Sequence, residues 1–321
     1  EEGTVAVKGL MLISLSVAAA SLSSNIPLIA DAVTVKRSLS GLDYEALSGI
    51  RHIYAAGYSV SDISVSQLPT FLYGVKSKAY TLYNLVPSFV SVLAVGSVPV
   101  ISACFAAKDW ERLNININSA LKLSGVISFP AGVGIIVLNS RITALLYGGA
   151  YPSGAADMAA LFGAAALFAG PAVLLTTVLQ AVGKHNRALV NIAIGTVIKF
   201  CVNLTVGIES VNINGAALGT LAFYAAVCLL NIFSLIGIKI KPDITGSIIK
   251  PFAAAAVCGA AAYAVSLVSQ GKTAALFAIL IAALVYLIML FSLKVLNESD
   301  FYLLTKSEKV VKFCRKYRII S

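Results

Sequence analysis

The sequence predicts an all-α, polytopic membrane protein built as a bundle of eight transmembrane helices. Of its 321 residues, 59% are hydrophobic and only 12% are charged, whereas a soluble protein carries about 25% charged residues. Several apolar segments are also long enough to cross a hydrocarbon core of about 30 Å as helices. Because backbone groups in lipid must pair within their own segment, these spans are predicted to be helical.

Eight apolar segments follow one another along the chain. Their approximate limits are 9–34, 80–106, 115–139, 156–182, 188–207, 214–237, 248–268 and 273–293. The loops between them are cationic on alternate sides, with Lys108, Arg112, Lys184 and Arg187 on one side. The positive-inside rule therefore places these loops, the N-terminus and the C-terminal tail in the cytoplasm. Topology thus accounts for the net charge of +10 without a nucleic-acid partner.

The longest connection, residues 36–79, lies between the first and second spans. It contains four tyrosines and five cations, and we expect an external loop with a short interfacial helix near residues 43–57. The tail from residue 296 to 321 is basic and amphipathic, which is typical of a cytoplasmic helix lying on anionic headgroups.

The residues that usually carry enzyme chemistry are sparse. The five cysteines have no metal-site or disulfide spacing, and both histidines, His52 and His185, fall in predicted loops. The sequence has no phosphate-binding loop, HExxH or GxSxG motif. We therefore expect no metal, no cofactor and no enzymatic activity.

Two spans combine a proline with polar residues on one helical face. Pro27 and Asp31 lie in the first span, and Asn84 and Pro87 lie in the second. Proline frees the carbonyl four residues earlier, and in lipid that carbonyl needs a partner. Two kinked, polar helices predict the walls of a water-filled cavity, and packing kinks satisfied by neighbouring side chains are the alternative.

Lys199 lies deep in the fifth span, four residues before Asn203. A lysine near the bilayer centre costs about 2.5–3.5 kcal/mol on insertion scales, so it is expected to face protein, water or an anion. Snorkelling or a structural pair with a carboxylate is the alternative. Asp31 is the candidate carboxylate, paired with Lys199 or with Arg37.

The ordered set of these segments resembles one family. "NIPLIADAVTVKRSL", "LYGVKSKAYTLYNLVPSFVSVLAVGSVPVISACFAAKD" and "LQAVGKHNRALVNIAIGTVIKFCVNL" are similar, in this order, to helices of the stage V sporulation protein B-like flippases. These proteins belong to the polysaccharide-transport and lipid II flippase branch of the multidrug/oligosaccharidyl-lipid/polysaccharide exporter superfamily. The resemblance covers about residues 9–318.

The resemblance implies fourteen helices, arranged as two six-helix lobes and a final helix pair. Residues 1–240 would then form the C-terminal lobe, 241–295 the additional pair and 296–321 the tail, with an N-terminal lobe of the same protein as a partner. The implied function is translocation of an undecaprenyl-pyrophosphate-linked oligosaccharide or peptidoglycan precursor across the bacterial cytoplasmic membrane by alternating access. Membrane lipids and a coupling ion are the other expected partners.

In such a flippase, cations in the cavity would pair with the phosphates of the headgroup. The candidate cavity residues are Asp31, Lys36, Arg37, Lys76, Lys78, Asn84, Lys199 and Asn203, and the candidate helix kinks are Pro27 and Pro87. A cation-coupled multidrug antiporter of the same superfamily is one alternative, and it would line its cavity with acids. A non-transporting membrane protein of envelope assembly is the other.

Overall fold

The computed structural model describes residues 29, 31–35, 37–55, 64–148, 156–208, 211–238, 240–268, 272–297 and 300. The regular structure in this part of the chain is helical and includes no strand. In order, the helices are α1 (helical residues 31–35 and 37–40), α2 (Tyr44–Ala55), α3 (Leu68–Ala106), α4 (Trp110–Val137), α5 (Asn139–Tyr147), α6 (Ala156–Ala181), α7 (His185–Asn203), α8 (Asn214–Ile236), α9 (Lys250–Val268) and α10 (Lys272–Ser292).

Seven helical segments among the described residues are long and apolar enough to cross a membrane. They are Val65–Ala106, Trp110–Val137, Ala156–Ala181, His185–Gly207, Asn214–Ile236, Thr245–Leu267 and Ala275–Ser292. These correspond to the last seven of the eight predicted spans, which confirms the all-α membrane bundle. Most of the first predicted span, 9–34, lies outside the described residues.

The prediction that residues 36–79 form an external loop is wrong in its second half. The short helix expected near 43–57 is present as α2, but α3 already begins at Leu68 and runs without interruption through the predicted span. Pro69 occupies the first turn of α3, where a missing N–H costs nothing. Lys76 and Lys78 lower the local hydropathy, so the sequence placed the start of the span too late.

Helix α6 lies at the centre of the bundle and packs against α3, α4 and α8, while α7 packs on α8. Glycines allow α4 and α6 to approach closely, because a Cβ added at Gly163 would lie 2.9 Å from the Gly132 carbonyl oxygen. Such small-residue contacts are typical of membrane helices, where close backbone approach replaces the hydrophobic effect.

A buried amide pair connects α6, α7 and α8. Asn191 on α7 donates to Asn231 Oδ1 on α8 at 2.9 Å, and Asn231 donates to Thr176 Oγ1 on α6 at 2.8 Å. Asn231 is fully buried, so the network satisfies polar groups that have no access to water.

The final helices, α9 and α10, pack against each other, and α9 also packs on α4. The connection that precedes α9 is fastened to α4, because Asn114 and Asn118 accept hydrogen bonds from the backbone N–H groups of Lys241 and Asp243 at 2.9 and 2.8 Å. A π-helical turn, Thr245–Ile249, then leads into α9.

A second attachment follows α10. Lys122 on α4 forms an ion pair with Asp300 at 2.9 Å, and Asp300 is fully buried. The same carboxylate oxygen accepts the backbone N–H of Asn297 at 2.7 Å. The helix pair is therefore held to α4 at both of its ends.

Candidate functional site

Asp31 lies where α1, α3 and α7 meet. Its Oδ2 atom accepts a hydrogen bond from Lys76 Nζ on α3 at 2.7 Å and lies 3.1 Å from Lys199 Nζ on α7. The exposed fractions are 0% for Asp31, 3% for Lys76 and 2% for Lys199. We call these three residues the charged cluster. Because water is excluded, the attraction between the carboxylate and the lysines is only weakly screened.

Polar side chains complete the surroundings of the charged cluster. Asn203, one turn after Lys199 on α7, donates to Asp31 Oδ1 at 2.8 Å and to Thr34 Oγ1 at 3.1 Å. Lys199 also donates to Thr220 Oγ1 on α8 at 3.2 Å. Both oxygens of the carboxylate therefore have partners, as a buried charge requires.

The tyrosines of α3 surround Lys76. The ammonium nitrogen lies 5.3 Å from the ring centroid of Tyr73 and 5.1 Å from that of Tyr80. Tyr73 and Tyr80 are three residues before and four residues after Lys76, so all three side chains share one face of the helix. Ring faces attract a cation at this distance, so both tyrosine rings contribute to holding the Lys76 side chain beside Asp31.

Gly219 on α8 leaves room for Asn203. A Cβ at position 219 would overlap Asn203 Oδ1 and would lie 3.3 Å from the Lys199 carbonyl oxygen. Asn203 Oδ1 itself has no hydrogen-bond partner among the described residues. The absence of a side chain on Gly219 therefore allows α7 and α8 to approach closely enough for the amide of Asn203 to reach Asp31.

The structure brings four of the predicted site residues together, apart from Arg37 and Asn84. Asp31, Lys76, Lys199 and Asn203 meet in and around the charged cluster. Arg37 and Asn84 are exposed, and Asn84 lies on the open face of α3. Asp31 is paired with Lys199, one of its two candidate partners, and within the described ranges no ion pair joins it to Arg37.

Lys78 on α3 is half-buried and lies beside Tyr147, the last residue of α5. Its ammonium nitrogen lies 5.8 Å from the ring centroid of Tyr147, and the Tyr147 hydroxyl donates to the Lys78 carbonyl at 2.9 Å. Partial burial raises the pKa of Tyr147 above its ordinary value, so the hydroxyl keeps its proton. Pro87 is buried inside α3, while the predictions for Lys36 and Pro27 fall on residues outside the described part.

Sequence reasoning missed several residues that the structure places at buried charges. Thr34 and Thr220 gave no signal, because a hydroxyl in an apolar span is common. Lys122 did give a signal, because it is, like Lys199, a lysine inside an apolar span. Its partner Asp300 was assigned to the tail, so the pair was not recognised.

An apolar groove lies between α3, α4, α9 and α10. Its volume is about 620 Å³, and its walls include Leu85 and Phe89 of α3, Gly134 of α4, Gly259 of α9 and Leu287 of α10. One wall is fixed by a hydrogen bond from the Tyr286 hydroxyl to the Val126 carbonyl at 3.1 Å. The described part of the chain thus combines a charged, hydrogen-bonded interior with a groove suited to a hydrocarbon chain.

No group of three or more His, Cys, Asp or Glu residues that could hold a metal ion occurs in the ranges described above. The charged cluster has one carboxylate, whose oxygens accept hydrogen bonds from Lys76 and Asn203 and lie 3.1 Å from Lys199 Nζ. Chemically, the arrangement holds one carboxylate and two basic side chains together away from water. It has no nucleophile poised beside a base, as covalent catalysis would require.

Comparison with known proteins identifies a matching family model and two relatives. The family model described as "Lipid II flippase MurJ" matches residues 79–295. An uncharacterized membrane protein of Bacillus subtilis (strain 168), YabM, is 30% identical over 164 residues, or 51% of this chain and 30% of YabM. The lipid II flippase MurJ of the same organism is 26% identical over 144 residues, or 44% of this chain and 26% of that protein.

A solved structure, the lipid II flippase MurJ in an inward closed conformation, shares the fold. It superposes with a TM-score of 0.58 at 20% sequence identity, covering 80% of this chain and 52% of that chain. The chain thus spans about half the length of that structure, and its matches span less than a third of the two curated relatives.

Proposed function

The chain belongs to the lipid II flippase MurJ family, and from this premise we propose that it translocates an undecaprenyl-pyrophosphate-linked oligosaccharide or peptidoglycan precursor by alternating access. The family is one of membrane flippases rather than enzymes. The observation that carries the proposal is the family match across residues 79–295, since it extends over six of the seven candidate spans and most of the other.

The chain acts as the C-terminal part of the transporter. In this proposal residues 1–240 form a six-helix lobe, 241–295 an additional helix pair, and 296–321 a basic tail on the membrane surface. An N-terminal lobe of the same protein completes the translocation path, and the two lobes rock about a central cavity. The cationic loops around Lys108 and Lys184 support a location of both termini on the cytoplasmic side of a bacterial inner membrane.

A lipid-linked saccharide has a hydrocarbon chain and an anionic headgroup, and the lobe offers a place for each. The apolar groove, at about 620 Å³, supports binding of part of the chain. Arg37, Lys78 and Asn84 are accessible or half-buried and support contact with the diphosphate, together with Lys36. The charged cluster connects α1, α3 and α7.

Transport of labelled lipids by the full-length protein in vesicles tests the proposal. The protein is reconstituted into liposomes with fluorescent lipid II or a fluorescent lipid-linked glycan, and the fraction of label that becomes accessible to an external quencher is followed with time. We expect flipping of at least one of the two lipids and no export of ethidium. Export of ethidium with both lipids left unflipped would instead identify a multidrug antiporter.

Matched charge substitutions test the headgroup contact. Arg37→Gln should slow flipping about tenfold, because a hydrogen bond to a charged group contributes about 1.5 kcal/mol. Lys241→Gln removes an exposed cation from the connection before α9 and should leave the rate unchanged. Equal rates for the two variants would contradict a role for Arg37 in binding the diphosphate.

A further inference from the structure

The charged cluster contains more lysines than carboxylates. Lys76 and Lys199 both pair with Asp31, and among the described residues neither lysine pairs with another acid. With both lysines protonated, the cluster would carry one uncompensated positive charge at sites that are 3% and 2% exposed. An unpaired charge in such a place is strongly unfavourable.

The titratable groups that face the cluster do not supply the missing negative charge. They are Tyr73, Tyr80 and Tyr83 on α3 and Tyr224 on α8, all close enough to interact with Asp31. A phenol is neutral near pH 7. Among the described residues, the charge balance therefore rests on the two lysines and Asp31.

The hydrogen-bond partners distinguish the two lysines. An ammonium group has three N–H donors. Lys76 donates to the Asp31 carboxylate at 2.7 Å, and its nitrogen lies 5.3 and 5.1 Å from the ring centroids of Tyr73 and Tyr80, where a ring face attracts a cation. Its surroundings match a charged group.

Lys199 has surroundings that match a neutral amine. Its nitrogen donates to Thr220 Oγ1 at 3.2 Å and lies 3.1 Å from Asp31 Oδ2. The Thr220 hydroxyl donates its own proton to the Ala216 carbonyl at 3.0 Å, so toward Lys199 it can only accept. These two oxygens are partners for the two N–H donors of an amine, and the third donor of an ammonium would have none among the described residues.

We propose that Lys199 is a proton-binding site: it is a neutral amine in this closed arrangement and takes up one proton when the charged cluster opens. The proton binds to the lone pair of Nζ and is released to water when the cluster closes again, so one proton is exchanged per conformational cycle. Its use as the coupling ion rests on the proposed flippase function, whereas the protonation state of Lys199 does not.

An inorganic anion bound between the two lysines would be another way to neutralise the surplus charge. The geometry favours the proton, because Asp31 already occupies the position between the two nitrogens and the cluster has no exposed side chain. Anion binding is therefore an outcome that the experiment must be able to detect.

Nuclear magnetic resonance of the lysine side chains reads the protonation state directly. The full-length protein is labelled with ¹³C and ¹⁵N at lysine, and the Lys199 signal is assigned by its loss in Lys199→Gln, which keeps two N–H donors without a charge. Lys122 is a matched control, since it is also buried but pairs one-to-one with Asp300. At pH 7 we expect the Nζ shift of an amine for Lys199 and of an ammonium for Lys122.

An ammonium shift for Lys199 at pH 7 would overturn the proposal, and a shift that responds to added inorganic diphosphate would establish the anion instead. In vesicles with a pH gradient, wild-type flipping should respond to the gradient, and Lys199→Gln should lose that response. A response retained in Lys199→Gln would overturn the coupling role. If neither the wild type nor Lys199→Gln flips lipid while the wild-type Lys199 signal is that of an amine, the proposed flippase function is contradicted and the proton-binding role of Lys199 is retained.

Discussion

Asp31 accepts hydrogen bonds from Lys76 and Asn203 and lies beside Lys199, and its charge compensates that of a lysine which has almost no contact with water. In a membrane interior, such a carboxylate holds together helices that have little hydrophobic drive to associate. Replacing one carboxylate oxygen of Asp31 by an amide nitrogen would remove the negative charge that compensates the lysine.

Replacing Asp31 by asparagine should lower the free energy of unfolding by about 3–5 kcal/mol, the usual cost of removing one partner from a buried ion pair. Asp157→Asn serves as the control, since Asp157 is exposed in the first turn of α6 and its loss should cost less than about 1 kcal/mol. Denaturant unfolding in detergent measures both. A similar cost for the two variants would show that Asp31 carries no structural charge.

Gly219→Ala should destabilise the protein by about 1–3 kcal/mol, because the new methyl group overlaps Asn203 Oδ1 and overpacking costs this much. Gly96→Ala is the matched control. It also lies inside a helix, but a Cβ there meets nothing within 4 Å, so it should be neutral or slightly stabilising. The thermal unfolding midpoint should fall in Gly219→Ala and should stay unchanged or rise slightly in Gly96→Ala. Equal midpoints for the two variants would contradict the packing argument.

Part of the charged cluster could be predicted from the sequence. The cost of a charge inside a span singled out Asp31 and Lys199 and suggested that they pair. Lys76 was predicted to line the cavity from the external loop 36–79, because nothing in the hydropathy indicated that α3 extends back to Leu68. The contribution of Thr220 depends on how α7 and α8 meet, which periodicity along one chain does not specify.

At the scale of elements, the helix pair α9 and α10 is attached to α4 by two different contacts. One is a set of neutral hydrogen bonds from Asn114 and Asn118, and the other is the ion pair between Lys122 and Asp300. The pair also forms one wall of the apolar groove. The position of α9 and α10 relative to α4 therefore sets the width of that groove.

A double-mutant cycle on Lys122 and Asp300 tests the charged attachment. Asp300→Asn alone should cost about 3–5 kcal/mol of unfolding free energy, because Lys122 is left buried without a counter-charge. The combination Lys122→Met with Asp300→Leu should recover most of that loss, since apolar replacements of a buried pair are often nearly neutral. Additive costs in denaturant unfolding would mean that the two residues do not interact.

Hydropathy predicted the helices well and their limits less well. Seven spans lie close to where the apolar segments placed them, because a run of apolar residues this long has no other stable structure in lipid. The start of α3 was misplaced because Lys76 and Lys78 look unsuited to a span. Once the charge of Lys76 is compensated by a partner from another helix, the helix continues through it.

At the scale of the whole molecule, short connections join consecutive spans, so their ends alternate between the two membrane faces. Single cysteines introduced into a cysteine-free background at Asn186 and Ala144 test this orientation. Both positions are exposed. A membrane-impermeant maleimide added to intact cells should label Ala144→Cys and leave Asn186→Cys unlabelled until the cells are opened, whereas the reverse pattern would invert the predicted topology.

In the proposed function, an amphipathic lipid binds with its hydrocarbon chain in the apolar groove. Gly134 lines the groove, and a Cβ there meets nothing within 4 Å, as at Gly96 outside it. The first side-chain atom therefore fits at either position, and of the two only position 134 lines the groove.

The most direct measurement is the rate of labelled-lipid flipping by the full-length protein carrying either leucine. Gly134→Leu should slow flipping at least about tenfold, because a misfit of even one methylene in an apolar pocket costs about 1–3 kcal/mol, while Gly96→Leu should flip at the wild-type rate. Unchanged flipping by Gly134→Leu, in a variant that unfolds at the wild-type temperature, would contradict the claim.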